Sequence, residues 1–281
     1  MKFEKRNVNK KSGISQGFKK YSVLIMVLVS ILALSACGKS NTATMDLEQI
    51  KERGYIVMGL DDTFAPMGFR DTSGELVGFD VDLAKEVFKR AGIEVRFQPI
   101  QWSMKETELN SGNIDLIWNG YSINDERKAK VAFTKPYLEN NQIIITLSDS
   151  EIETREDLKG KNISVQNGST AYDAVMVYAD LVKAFNGGEP TLFDTNNEAF
   201  MDLEAGRTDA VVADEVLSRY YIKQKGEEKY KVLEDDFGKE EYGIGIRKTS
   251  TDLLKLVNET FDEMRADGAY DEIYSKWFGQ K

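Results

Sequence analysis

The stretch over 74–87, Gly74-Glu75-Leu76-Val77-Gly78-Phe79-Asp80-Val81-Asp82-Leu83-Ala84-Lys85-Glu86-Val87, decides how this chain folds. From Phe79 onward, Phe79, Leu83, Val87 and Ala91 recur at helical spacing and share one apolar face. Asp80 and Asp82 stand at its start, where carboxylates cap free N–H groups and complement the helix dipole. A calcium loop is the competing reading of the two aspartates; the helical face beginning at once argues against it. Outward from this helix lie two strand-like runs, 55–59 before it and 93–97 after it, the second with alternating apolar residues. Strand, helix and strand in that order predict an α/β lobe on a mostly parallel sheet.

The alternation continues to the end of the chain. A helix is expected over 102–109, stopped near Gly112, then a buried strand over 114–118. A second succession follows: strand 142–147, short helix 155–158, strand 162–166 and a long helix from about 171 to 185. Next come strand 191–193, helix 197–204, strand 209–213, helix 215–224, strand 242–246 and two closing helices over 251–265 and 269–278. There is no internal repeat.

The N-terminal segment has a different character. Lys2, Lys5, Arg6, Lys10, Lys11, Lys19 and Lys20 precede an apolar segment over 23–36, which closes on Leu34-Ser35-Ala36-Cys37-Gly38 with the chain's one cysteine. This is the layout of a secretory leader ending in small residues. A transmembrane anchor and a chance free thiol are the competing readings, but the apolar run is short for a span of about 20 residues. Residues 38–45 are polar and aperiodic, as in a flexible tether.

Seven basic residues of the leader outweigh Glu4, so the remainder is more acidic than the net −10 of the whole chain. That balance argues against nucleic acid, whose phosphates need clustered cations, and favours a solvated, soluble body. A single cysteine excludes an intramolecular disulfide, and the absence of histidine removes most zinc sites and every Ser-His or Cys-His nucleophile. No run after Cys37 approaches spanning length, so a hold on the membrane would be through lipid.

Residues 74–87 closely resemble the signature of the family 3 bacterial solute-binding proteins, which deliver polar amino acids to ABC importers. Leu60-Asp61-Asp62-Thr63-Phe64-Ala65-Pro66 resembles that family's first ligand loop, and 115–127 (Asp-Leu-Ile-Trp-Asn-Gly-Tyr-Ser-Ile-Asn-Asp-Glu-Arg) its second. Ala132-Phe133-Thr134-Lys135-Pro136-Tyr137 resembles the segment entering the first hinge. Gly168-Ser169-Thr170 and Asp214-Glu215 resemble the ligand motifs of the second lobe, and 261–268 through Trp277 and Phe278 the C-terminal helix pair. The likeness covers essentially the whole chain after the leader. It implies the type II periplasmic-binding-protein fold, two α/β lobes joined by two hinge strands with a ligand cleft between them. The first lobe is expected over 46–138 and 241–281, the second over 139–240. The leader, 1–36, resembles a bacterial lipoprotein signal, which implies that Cys37 carries a diacylglycerol and opens the mature chain, with 37–45 as its tether.

An amino acid presents a carboxylate and an ammonium on one carbon, so its site needs fixed opposite charges with hydrogen-bonding groups between them. The resemblance makes Arg127 the carboxylate clamp, a guanidinium fork suited to bidentate contact. Taken alone, Arg127 within Asp125-Glu126-Arg127-Lys128 reads as a helix-surface arginine. Thr170, with the backbone at Ser169, is expected to hold the same carboxylate from the other lobe. Ser122, the carbonyl of Gly120, and Asp214 are expected to face the ammonium, Asp214 also reading as an N-cap before Glu215. Phe64 and Trp102 are expected to line the side-chain pocket as stacking faces, or else simply to pack the core, with Asp61 pairing a cationic tip. Trp118, Asn119 and Tyr121 would enlarge the aromatic and amide content beside the clamp. Gln166 and Ala171 depart from the residues of several basic-amino-acid binders.

The function implied is a lipid-anchored substrate-binding subunit of an ABC importer on the extracellular face of the cell membrane. It would capture a polar amino acid by hinge closure, arginine or another basic amino acid first, with glutamine or cystine as alternatives. Catalytic residues, metal and cofactor are not expected. The expected partners are a permease and, through it, a cytoplasmic ATPase, since no GxxxxGK[ST] loop occurs here. Two other functions compete: a carboxylate-dependent dehydratase on the same fold, and a sensor module, against which stands the ending at Lys281 without a span or signalling domain.

Overall fold

The computed structural model describes residues 47–279; Cys37, the leader and the tether lie outside the described residues. In chain order, α1 (Leu47–Arg53) leads to β1 (Tyr55–Leu60), β2 (Thr63–Phe64), β3 (Gly68–Arg70), β4 (Leu76–Val77), α2 (Phe79–Arg90) and β5 (Glu94–Pro99). A 3-10 turn, Trp102–Met104, opens α3 (Lys105–Asn110), followed by β6 (Leu116–Ile117), α4 (Asp125–Lys130) and β7 (Ala132–Phe133). The middle of the chain comprises β8 (Leu138–Leu147), β9 (Ile163–Gln166), α5 (Thr170–Met176), α6 (Ala179–Lys183), β10 (Thr191–Phe193), α7 (Asn196–Glu204), β11 (Ala210–Asp214), α8 (Glu215–Lys225) and β12 (Tyr230–Tyr242). Then come β13 (Gly245–Ile246), α9 (Thr251–Asp267) and α10 (Ala269–Phe278).

Helix α2 forms where its periodicity places it; Phe79, Leu83 and Val87 of its apolar face are buried, and Ala91, at the C-cap, is half-buried. Phe79 meets the rings of Tyr270, Tyr274 and Phe278 edge-on at 6.0, 6.1 and 5.0 Å. The two aspartates do not cap it: Gly78 occupies the N-cap with no side-chain bond. Instead Asp80 is buried and accepts from the Gly120 N–H at 2.8 Å and the Tyr137 hydroxyl at 2.9 Å. Asp82 accepts from Lys276 Nζ at 2.6 Å and Trp277 Nε1 at 2.8 Å, tying α10 to α2.

Two five-stranded sheets carry the two lobes, in orders β5-β1-β6-β13-β7 and β10-β9-β11-β8-β12, with a small antiparallel sheet β2-β3-β4 beside the first. Each is mixed, with four strands running one way and a single strand against them. β5, β1 and β6 are parallel, as are β10, β9 and β11, but β13 and β8 enter against that direction. The reversal follows from connectivity. The chain passes from the first sheet to the second along β8 and returns along β12, its antiparallel partner from Tyr230↔Leu147 to Tyr242↔Leu138.

Strand β12 is not in the sequence reading, which places a strand only over 242–246; that stretch is divided between the last residue of β12 and β13. β12 carries Glu234, Asp235, Asp236, Lys239, Glu240 and Glu241, and its register shifts between Val232 and Asp236 and again before Lys239, so no period of two survives. The long helix expected over about 171–185 is two helices. Tyr178, between them, is drawn out by Arg155, whose guanidinium lies 4.3 Å over its ring and donates to its hydroxyl at 3.1 Å; Phe237 adds an edge contact at 5.4 Å.

Candidate ligand-binding cleft

The lobes meet along a line of polar contacts that the sequence segments after β1, β6, β9 and β11 supply. Helix α4 begins with Asn124 accepting from the Arg127 N–H at 2.8 Å. That cap sets the helix so that Arg127 alone of its residues is buried. Its guanidinium lies 4.6 Å over the Tyr121 ring and donates to the carbonyls of Ser122 at 3.0 Å and Gly168 at 3.2 Å. No carboxylate among the described residues lies at ion-pair distance from it. Arg127 is therefore a buried cation held by dipoles and a ring face, not a surface residue.

At the other side Asp214, on the C-terminal end of β11, is also buried. It occupies the N-cap position of α8 without a side-chain capping bond. Its Oδ1 accepts instead from Asn140 Nδ2, from Gln142 Nε2 at 3.1 Å and from the Tyr242 hydroxyl at 2.7 Å. Burial first, then the charge of Glu240, pushes its carboxyl up to about 7, against the pull of Tyr242 and Arg127. None of its direct partners is a cation. A continuous hydrogen-bonded path joins the two charges: Arg127 to the Ser122 carbonyl, Thr170 Oγ1 to Ser122 Oγ at 3.1 Å, and Gln142 Nε2 to Thr170 Oγ1 at 3.3 Å and on to Asp214. Ser122 and Thr170 are both buried along it.

Ser169 caps α5, accepting from the Tyr172 N–H at 3.2 Å and donating to the Gln166 carbonyl at 2.7 Å. Gly168 before it has φ +72°, and a Cβ there would stand 2.9 Å from Ser103 Cα, so this turn touches the first lobe through backbone. Its carbonyl takes a second cation, Lys105 Nζ, at 2.8 Å. Lys105 is buried, and burial followed by the repulsion of Arg127 lowers its ammonium to about 8.

The remaining candidates gather near β1. Asp61 is buried; its Oδ1 accepts from the Thr63 N–H at 2.9 Å and hydroxyl at 2.6 Å, and its Oδ2 from Gln166 Nε2 of the other lobe at 2.9 Å. Desolvation raises its pKa from its ordinary value, against the hydrogen bonds of Thr63 and Gln166. Asn119 accepts from the Asp61 N–H at 3.0 Å, and its Nδ2 is a buried donor with no partner among the described residues. Gly120, at φ +57°, lies under Phe64: a Cβ there would be 2.8 Å from Phe64 Cε1. Phe64 and Trp102 are both largely buried, and Trp102 meets Tyr121 edge-on at 5.8 Å. Trp118 is not beside the clamp. It is enclosed in the core against Tyr137 and Phe261, at 6.1 and 5.5 Å.

Sequence reasoning missed Lys105, Asn140, Gln142, Glu240 and Tyr242, and saw Gln166 only as a departure. One signal was there to be read: Asn140 and Gln142 are amides two apart in a strand that continues as Ile143-Ile144-Ile145, so they share a face of a buried element.

Two mixed α/β lobes joined by β8 and β12, with opposite buried charges at their junction, make a type II periplasmic-binding-protein architecture. The chain belongs to the bacterial extracellular solute-binding proteins, family 3, whose model matches residues 56–280. It is 34% identical to the L-cystine-binding protein TcyJ of Escherichia coli over 83% of this chain and 86% of that one. Among solved structures it is similar to an ABC uptake transporter substrate-binding protein from Streptococcus pneumoniae with bound histidine, at 40% identity and a TM-score of 0.81 over 83% of this chain and 96% of that one. An ancestral arginine-binding protein bound to arginine aligns at 41% identity and a TM-score of 0.75, over 81% and 99%.

Proposed function

We propose that the protein is an amino-acid receptor of an ABC importer, held on the outer face of the membrane by acyl chains on Cys37. It captures its ligand between the lobes and hands it to a permease driven by a separate ATPase. The observation that carries this reading is the pair Arg127 and Asp214, two buried opposite charges without direct counterions, joined through Ser122, Thr170 and Gln142. A buried charge without an ion partner is costly, and one zwitterion relieves both costs at once. The two residues belong to different lobes, so the ligand's differential affinity favours the closed form.

For the side chain we read a cationic or donor-bearing tip, arginine first. Asp61 offers a buried carboxylate to it, and Phe64 and Trp102 provide aromatic surface. The solved relatives with bound arginine and histidine support that class; the cystine-binding relative names the main competitor. A thermal-shift panel of the common L-amino acids and cystine tests both levels. A ligand at a hundred times its dissociation constant adds about 2.7 kcal/mol. Silence across the panel overturns the receptor reading, and a tenfold preference for cystine or glutamine overturns only the cationic tip.

A further inference from the structure

We infer that Glu240, on the hinge strand β12, is a specificity-determining residue that recognises the ligand's ammonium together with Asp214. The inference rests on the amino-acid reading above and concerns a residue outside the family motifs quoted from the sequence. Glu240 Oε1 accepts from the amide nitrogens that also serve Asp214 Oδ1: Asn140 Nδ2, at 2.9 Å, and Gln142 Nε2. It also accepts from Thr170 Oγ1 at 3.2 Å, in the middle of the path from Arg127 to Asp214. Two shared donors bring the two carboxylates side by side, with no cation on either. Glu240 also lines a cavity of about 770 Å³, whose lining supplies one cation, Lys239, against Glu139, Glu215 and Glu241.

A second observation points to a donor-rich ligand there. Gln142 is 1% exposed and its Oε1 has no hydrogen-bond partner among the described residues. Its nitrogen faces three acceptors, the two carboxylates and Thr170, which share its two hydrogens, so the amide orientation is set and the oxygen remains an acceptor. The hydrogen bonds of Asp214 fall on Oδ1 and those of Glu240 on Oε1, which leaves Oδ2 and Oε2 free to accept. An ammonium brings three donors and one positive charge to this set of acceptors. A hydroxyl or methylene at the same place leaves two carboxylates facing each other unrelieved.

Calorimetry on the soluble chain lacking the leader tests this with matched pairs: L-arginine and 5-guanidinopentanoate, L-histidine and 3-(imidazol-4-yl)propanoate, L-glutamine and 4-carbamoylbutanoate. Glu240→Gln is expected to weaken the amino acid about tenfold or more while changing its deaminated partner about twofold or less. Glu240→Asp, which keeps the charge, is expected to retain much of the preference for the amine. Equal losses for both members of a pair, or no loss, overturn the role of Glu240, as does a Glu240→Asp variant no better than Glu240→Gln. A wild-type protein that binds neither these amino acids nor any other member of the thermal-shift panel, cystine included, overturns the receptor reading itself.

Discussion

Asp80 and Asp214 both hold a proton far above the ordinary carboxylate range, because each is fully withdrawn from water and neither touches a cation among the described residues. Both are pushed up to about 7, Asp80 against the hydrogen bonds of Gly120 and Tyr137. The folded protein therefore binds protons that the unfolded chain has released, and stability falls as pH rises from about 4 to about 7. Carboxyls held low, such as Glu204 beside Tyr230, act in the opposite sense but only at the foot of this window, as the unfolded chain loses its last protons near the ordinary value of 4.5. Thermal melts of the ligand-free protein should show higher Tm at pH 5 than at pH 7, and Asp80→Asn should flatten the slope; a rising Tm across this range contradicts the assignment. Arg127→Ala should cost about 2 to 5 kcal/mol of ligand affinity with the fold retained, since it leaves a ligand carboxylate closed in without its ion partner. Wild-type affinity in calorimetry would remove Arg127 from the site. The motifs made Arg127, Thr170 and Asp214 legible. Glu240 was not, because its bond to Gln142 joins residues 98 positions apart through a strand pairing that no local pattern announces.

At the scale of elements, the turn at Gly168 is where the second lobe touches the first. Its carbonyl receives Lys105 and Arg127 from the first lobe, and its backbone lies against Ser103. Gly168→Ala meets a left-handed φ of +72° and a close backbone contact together, a strain of about 1 to 2 kcal/mol that opening the lobes partly relieves. It should lower ligand affinity by more than it lowers the stability of the ligand-free protein, comparing calorimetry with urea unfolding; equal losses would make the turn a local structural element only. Elements with a clean period, such as α2 and β5, were legible within a residue or two. Strand β12 was not, because its side chains are chosen for the hinge and the cleft rather than for an alternating face, and the break at Tyr178 depends on Arg155 and Phe237 arriving from other segments.

At the largest scale, the described residues form two lobes whose contacts converge on a few charged and amide side chains. Gln166 reaches Asp61, Gln101 reaches Asp194 at 3.1 Å, and Thr170 reaches Ser122. Ligand should therefore shift the population toward a compact form, seen as a smaller radius of gyration in solution scattering; no change at saturating ligand would count against closure. Replacing Cys37 with Ser should leave ligand affinity unchanged while the protein appears in the medium or as unprocessed precursor. Its recovery from membranes, processed at the same site, would contradict the lipid anchor. The central claim, that Arg127 and Asp214 together recognise a zwitterion, is tested most directly by titrating the wild type with L-arginine, its decarboxylated analogue agmatine and its deaminated analogue 5-guanidinopentanoate. The account predicts that each analogue loses about tenfold or more relative to arginine, since each strands one buried charge; either analogue binding as tightly as the amino acid would contradict it.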